Sequence, residues 1–190
     1  MEGIVPQFLI EQNVSYYTIP AAMFMALTPR LATIVGYGRF YNPHYPRGLP
    51  DDIQMLPVNA LSPWVRARLF RADAAMQNAI ENLPLFAAAV VAANASYLPV
   101  MELNLCCLGY LVLRALYMAF YVFWEDNPVF PAFTRTLIWL TGVGVEMYLF
   151  VLAARQPLVV VGVGADGELA PLVRQGVRFS FSGSIAKPEL

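Results

Sequence analysis

Charge is scarce in this sequence. Only 13% of its residues are Asp, Glu, Lys or Arg, the formal net charge is −1, and no basic run occurs along it. A protein that grips a phosphate backbone needs a concentrated cationic face, so nucleic acid is excluded as a partner. Cysteine and histidine are scarcer still. Cys106 and Cys107 are adjacent inside an apolar run, where they cannot form a disulfide framework. His44 is the single histidine and has no cysteine or acid cluster at ligand spacing, so no metal site is expected. The N-terminal stretch through Gln12 has two acids, no Lys or Arg and no small-residue cleavage site after a short apolar core, which argues against a cleaved leader.

Apolar residues fill the rest. The chain is 58% hydrophobic with a mean hydropathy of +0.55, well outside the range of soluble domains. A chain of 190 residues has room for one compact domain, and each membrane-crossing helix needs about 20 apolar residues. Four such windows can be read, at residues 17–37, 64–97, 103–123 and 132–154. The first is interrupted by Pro20, Pro29 and Arg30. A polar, proline-rich stretch follows it (Asn42, Pro43, His44, Pro46, Pro50, Asp51, Asp52) and reads as a loop. The second helix is expected to begin at Ser62-Pro63, an N-cap followed by a proline at the first helical position. Short links between the later helices force antiparallel neighbours, so the expected fold is an all-α, membrane-embedded, up-down four-helix bundle over residues 1–155. Residues 156–190 are expected to form a flexible or weakly structured tail, with at most a short strand at residues 179–182. The basic residues Arg39, Arg47, Arg66, Arg68 and Arg71 flank the first loop, whereas the second loop offers only Glu102. Loops one and three are therefore expected to face the cytoplasm, although Glu125 and Asp126 in loop three and Arg155 after the last span weaken the asymmetry.

Ionisable and amide side chains inside membrane spans are costly and mark ligand or ion pathways. On the second helix Arg71, Asn78 and Glu81 share a face, because at 100° per residue Asn78 lies about 20° and Glu81 about 80° from Arg71. On the third, Arg114, Tyr117 and Tyr121 stack along one stripe, and Arg135 lies near the start of the fourth. Antiparallel helices bring these seven residues together at the cytoplasmic end. They could simply satisfy one another, with Arg114 paired to Glu81. Arginines in excess over the matched acid instead suit a small anionic ligand.

Two segments carry a family resemblance. Residues 71–86, Arg71 through Asn78-Ala79-Ile80-Glu81-Asn82-Leu83-Pro84-Leu85-Phe86, match N-x-x-E followed by proline and apolar residues; Arg114-Ala115-Leu116-Tyr117-Met118-Ala119-Phe120-Tyr121 matches R-x-x-Y-x-x-x-Y. In order and topology the chain resembles the MAPEG family, membrane-associated proteins in eicosanoid and glutathione metabolism, over roughly residues 17–154. The resemblance implies a homotrimer in the endoplasmic reticulum that binds glutathione as co-substrate between protomers. It would be held by Arg71, Asn78, Glu81, Arg114, Tyr117 and Tyr121, with Arg135 as the catalytic cation beside the thiol. The implied reaction is glutathione transfer to, or peroxidase reduction of, a lipophilic molecule from the bilayer. A non-catalytic lipid-binding or scaffold role is the alternative, because Ala74 stands where family enzymes carry an arginine and the segment from Tyr121 to Arg135 is long for the eicosanoid enzymes.

Three further features are weighed. Gly162-Val163-Gly164-Ala165-Asp166-Gly167 resembles a dinucleotide fingerprint, but too little chain follows to complete the βαβ unit. The sequons Asn13-Val14-Ser15 and Asn94-Ala95-Ser96 lie beside or within expected spans and are not expected to be glycosylated. Glu146, in the middle of the fourth span, is expected to neutralise Arg114 from the neighbouring helix.

Overall fold

The computed structural model describes residues 6–37, 44, 46–124, 133–156, 159–163 and 169–173. The chain divides into two compact units, Met1–Ala154 and Arg155–Leu190. In the first, the elements among the described residues are helices: α1 (Phe8–Glu11), α2 (Ser15–Tyr37), α3 (Leu49–Met55), α4 (Pro63–Ala95), α5 (Val100–Ala119) continuing as a π-helical turn over Phe120–Trp124, and α6 (Phe133–Arg155). Three stretches, Ser15–Val35, Val100–Trp124 and Phe133–Arg155, are long and apolar enough to cross a membrane, which fits an integral membrane protein. α4 covers the window expected as the second span, but Arg66, Arg68, Arg71, Asp73 and Glu81 make it more polar than the others and it is not among these three stretches, so three membrane-capable helices stand among the described residues where four spans were expected.

Local sequence sets the ends of α4. Ser62 caps its start by accepting from the Val65 N–H, with Pro63 at the first helical position, as expected. At its end Tyr97 adopts a left-handed conformation, φ 57°. The Tyr97 N–H donates to the Asn94 carbonyl and the Leu98 N–H to the Ala93 carbonyl. These two bonds make a Schellman turn, usually built on glycine, and Pro99 then prevents the helix from continuing. The turn reverses the chain into α5.

Side-chain contacts give the directions of the remaining helices. The start of α2 meets the end of α4 through Asn13 and Asn94, and late α2 meets early α4 through the Arg30–Asp73 ion pair, so α2 and α4 are antiparallel. Late α6 meets early α5 through Tyr148 and Glu102, 3.0 Å apart. In lipid no hydrophobic force draws helices together, so close packing depends on small residues at the contacts. Ala22, Ala89 and Ala93 are buried in that role, around a core of Phe86, Val90, Leu103, Cys107, Tyr110 and Leu149, and Ala72 and Ala75 pack separately against Val122. The outward faces carry exposed Phe24, Val35, Val112, Leu137 and Leu140, a surface that suits acyl chains rather than water.

The stretch expected to be a loop holds structure of its own. Asp51 and Asp52 sit in the first turn of α3, where carboxylates favour the positive end of the helix dipole. Ile53 is buried against Leu69. Arg66, read from sequence only as a topology signal, donates to the carbonyls of Ile53 (2.8 Å), Leu56 (3.2 Å) and Pro57 (3.3 Å) and so holds the end of α3 on α4.

In the second unit β1 (Val159–Val163) pairs antiparallel with β2 (Leu169–Val173), Val161 opposite Pro171. This hairpin was not among the expected features. It takes Gly162 into an antiparallel strand pair, which is not the strand-to-helix turn a dinucleotide fingerprint requires. Residues 179–182, and Glu125 and Asp126 of the third loop, lie outside the described residues.

Candidate functional site

Arg114 is the centre of the polar cluster. It projects from the middle of α5 and is 5% exposed. Its Nε donates to the Tyr110 hydroxyl at 2.9 Å and its Nη1 to the Asn78 side-chain oxygen of α4 at 3.2 Å. Its Nη2 lies 3.9 Å from Glu146 Oε1 on α6. The acid that neutralises Arg114 is therefore Glu146, as the reading of that residue expects, and not Glu81. Glu146 is completely buried, and neither of its carboxylate oxygens accepts a hydrogen bond among the described residues. Gly142, one turn before Glu146, faces the Tyr110 ring, and a Cβ there would make an ordinary contact with Tyr110 Cε2 at 4.0 Å. Tyr110 in turn stacks on Phe86 of α4, with ring centroids 3.9 Å apart.

From Arg114 an aromatic ladder climbs toward the end of α5. The guanidinium lies 6.0 Å from the ring centre of Tyr117, which is buried, and Tyr117 stacks on Tyr121 at 5.8 Å. Tyr121 belongs to the π-helical turn, a local widening that often accompanies functional sites. Over its ring, 4.2 Å from the centroid, sits the guanidinium of Arg135 from α6, close enough for a cation–π contact. Five of the seven expected site residues, Asn78, Arg114, Tyr117, Tyr121 and Arg135, are thus joined by contacts across α4, α5 and α6. Arg71 lies about two turns before Asn78 on α4 and is half-buried. Glu81 stands apart, exposed on α4.

Two polar residues, one in the cluster and one outside it, escaped the sequence reading or were underweighted by it. Tyr110 stands four residues before Arg114, the same spacing that joins Tyr117 to Tyr121, so the stripe could have been extended one turn earlier. Arg30 looked like an interruption of the first span; it is the ion-pair partner of Asp73, whose other oxygen accepts from Gln77 Nε2 at 2.7 Å.

A ladder of arginine, asparagine and tyrosine joins α5 and α6, both long and apolar enough to cross a membrane, to the more polar α4, and the class is an integral membrane protein with a polar cluster among its helices. The family model described as "MAPEG family" matches residues 17–155, and the chain belongs to that family. Neither a curated protein nor a solved structure gives a match.

Proposed function

We propose that this chain is a membrane-bound, glutathione-dependent transferase or peroxidase, acting as a homotrimer of four-span, up-down protomers in the endoplasmic reticulum, with loops one and three toward the cytosol. The observation that carries this reading is the Arg135 guanidinium over the Tyr121 ring, at the end of a ladder that returns through Tyr117 to Arg114 and Asn78. The residue expected to face the thiol is on the same ladder as residues expected to hold the tripeptide. A cation beside a thiol favours the thiolate, which is the nucleophile.

Glu81 supports the placement between protomers. An exposed carboxylate in the interior of a long helix is costly where that helix meets acyl chains; a neighbouring protomer and the ammonium of a bound tripeptide would both remove that cost. Asn78, Arg71, Tyr117 and Tyr121 would hold the backbone and carboxylates. In conjugation the thiol gives its proton to water, the thiolate sulfur forms a bond to the electrophilic carbon, and the leaving group departs with the bonding pair. With a lipid hydroperoxide the sulfur takes the terminal oxygen and the O–O bond breaks. The lipid then leaves as an alcohol, and a second glutathione converts the sulfenic acid to disulfide and water.

A second reading, a non-catalytic lipid-binding scaffold, draws on a specific observation as well. The Arg114 charge faces Glu146 inside the chain, and Ala74 stands where family enzymes carry an arginine. The test is direct binding of glutathione to detergent-purified protein, together with thioether formation from a chlorodinitrobenzene-type electrophile. The enzyme reading expects both, and it expects Glu81→Gln to weaken glutathione binding about tenfold, the loss of one charge-assisted hydrogen bond, at unchanged thermal stability. Absence of binding and of turnover above background across several electrophiles would leave the scaffold.

A further inference from the structure

A second feature of the first unit lies on a different face of α5, roughly a third of a turn from the Arg114–Tyr117–Tyr121 stripe. Late α2, early α4 and late α5 leave an open groove of about 540 Å³ between them, within the roughly 300–1,000 Å³ of small-molecule sites. Small side chains make the space: Ala32, Ala72, Ala115 and Ala119 line it, with Met25 and Met118. Pro29 contributes from α2. It has no N–H for the Met25 carbonyl, which accepts instead from the Thr28 hydroxyl at 2.7 Å. Between Phe123 and Ala115 the groove follows α5 for about 12 Å.

One end of the groove is polar. Arg68 of α4 lines it, its guanidinium carbon 3.6 Å from the Trp64 ring centre and 4.9 Å from that of Phe123. The two exposed rings hold the cation in place. Arg68 has no carboxylate within ion-pair distance among the described residues, and its buried Nε has no hydrogen-bond partner there. Nearby Asp73 is taken by Arg30. Trp64 and Arg68 fall in the first two turns of α4 and Phe123 at the end of the α5 span. Arginine and tryptophan characteristically anchor at that level of a membrane, where lipid headgroups begin.

We infer that this groove binds an anionic phospholipid of the surrounding leaflet, one acyl chain lying along the alanine-lined wall and the phosphodiester on Arg68. A single planar guanidinium matches a monoanionic phosphate. The bilayer that would surround the apolar outer faces supplies the ligand. A zwitterionic lipid offers the same chain and phosphate, but it carries a choline cation that Arg68 disfavours. The inference does not depend on glutathione chemistry.

Quenching of tryptophan by brominated acyl chains tests it, using full-length protein in which Trp124→Phe and Trp139→Phe leave Trp64 as the only reporter. Brominated phosphatidylglycerol is expected to quench Trp64 with an apparent affinity about tenfold above that of brominated phosphatidylcholine. Arg68→Gln is expected to bring the ratio to about one at unchanged melting temperature. Ala119→Leu, which fills the groove and leaves the cation, is expected to reduce quenching by both lipids; this variant keeps the test decisive if Arg68→Gln does not fold. Equal quenching by the two lipids with Arg68 intact would overturn the inference, as would an anionic preference that survives Arg68→Gln. Quenching that Ala119→Leu leaves unchanged would do so too.

Discussion

Two polar regions lie among the apolar helices, and they are built on opposite terms. Where α2 begins, α4 ends and α5 begins, Asn104 is completely buried, yet it accepts from the Val14 N–H at 3.0 Å and donates to the carbonyls of Leu9 (2.9 Å) and Gln12 (2.7 Å). Beside it, Asn94 donates to Ser15 Oγ at 2.9 Å, and Asn13 donates to Asn94 at 2.6 Å. Every group here has a neutral partner. In the cluster around Arg114 a buried charge pair sits beside the neutral partners Tyr110 and Asn78, and the pairing is incomplete: Glu146 has an ion-pair contact but no hydrogen bond among the described residues, and Arg114 Nη2 has none. Polarity inside a membrane span is common to both regions. The degree of satisfaction separates them, and the less satisfied region is the one proposed above to bind a ligand.

The sharpest way to break this contrast is Glu146→Gln. It leaves the Arg114 cation buried without its counter-charge, and removing one partner of a buried pair costs about 3–5 kcal/mol. A large fall in melting temperature in detergent, with glutathione affinity retained, is expected. Unchanged stability with lost affinity would move Glu146 from the framework into the site. Next in size is Arg135→Leu, which removes the cation proposed to stabilise the thiolate. The conjugation rate should fall about a hundredfold, the scale of losing one preorganised electrostatic contact, while equilibrium binding of glutathione changes little. A rate equal to that with arginine present would detach α6 from the chemistry. Smallest is Asn104→Ala, which orphans three backbone groups at the opposite end and should cost about 2 kcal/mol of stability with no effect on turnover. A catalytic defect there would mean that the two regions are coupled.

Much of the polar cluster could be read before any coordinates. The spacing of Asn78, Arg114, Tyr117, Tyr121 and Arg135 on their helices follows from 3.6-residue periodicity, and short links between helices bring those faces together. Glu81 escaped that logic: its position on α4 is set by the same periodicity, but the single chain leaves it exposed. The asparagines of the other region went unrecognised as a network. Asn13 and Asn94 are 81 residues apart, and no local pattern announces that they touch. Asn104 was visible as a lone amide in an apolar run, the same signal that drew attention to Arg114.

By itself the sequence determined the class of the protein, the bounds of its long helices and the cap of α4 at Ser62, because apolar length, periodicity and capping are local properties of the chain. Apart from Arg114 with Glu146, which the sequence already paired, tertiary structure decided which charges meet. Arg30 could have faced lipid and instead holds Asp73; Arg66 could have marked a membrane boundary and instead closes α3; Arg68 stands between two rings at the end of a groove. Long flexible side chains reach several partners from one backbone position, so their pairing is chosen by the helix packed opposite.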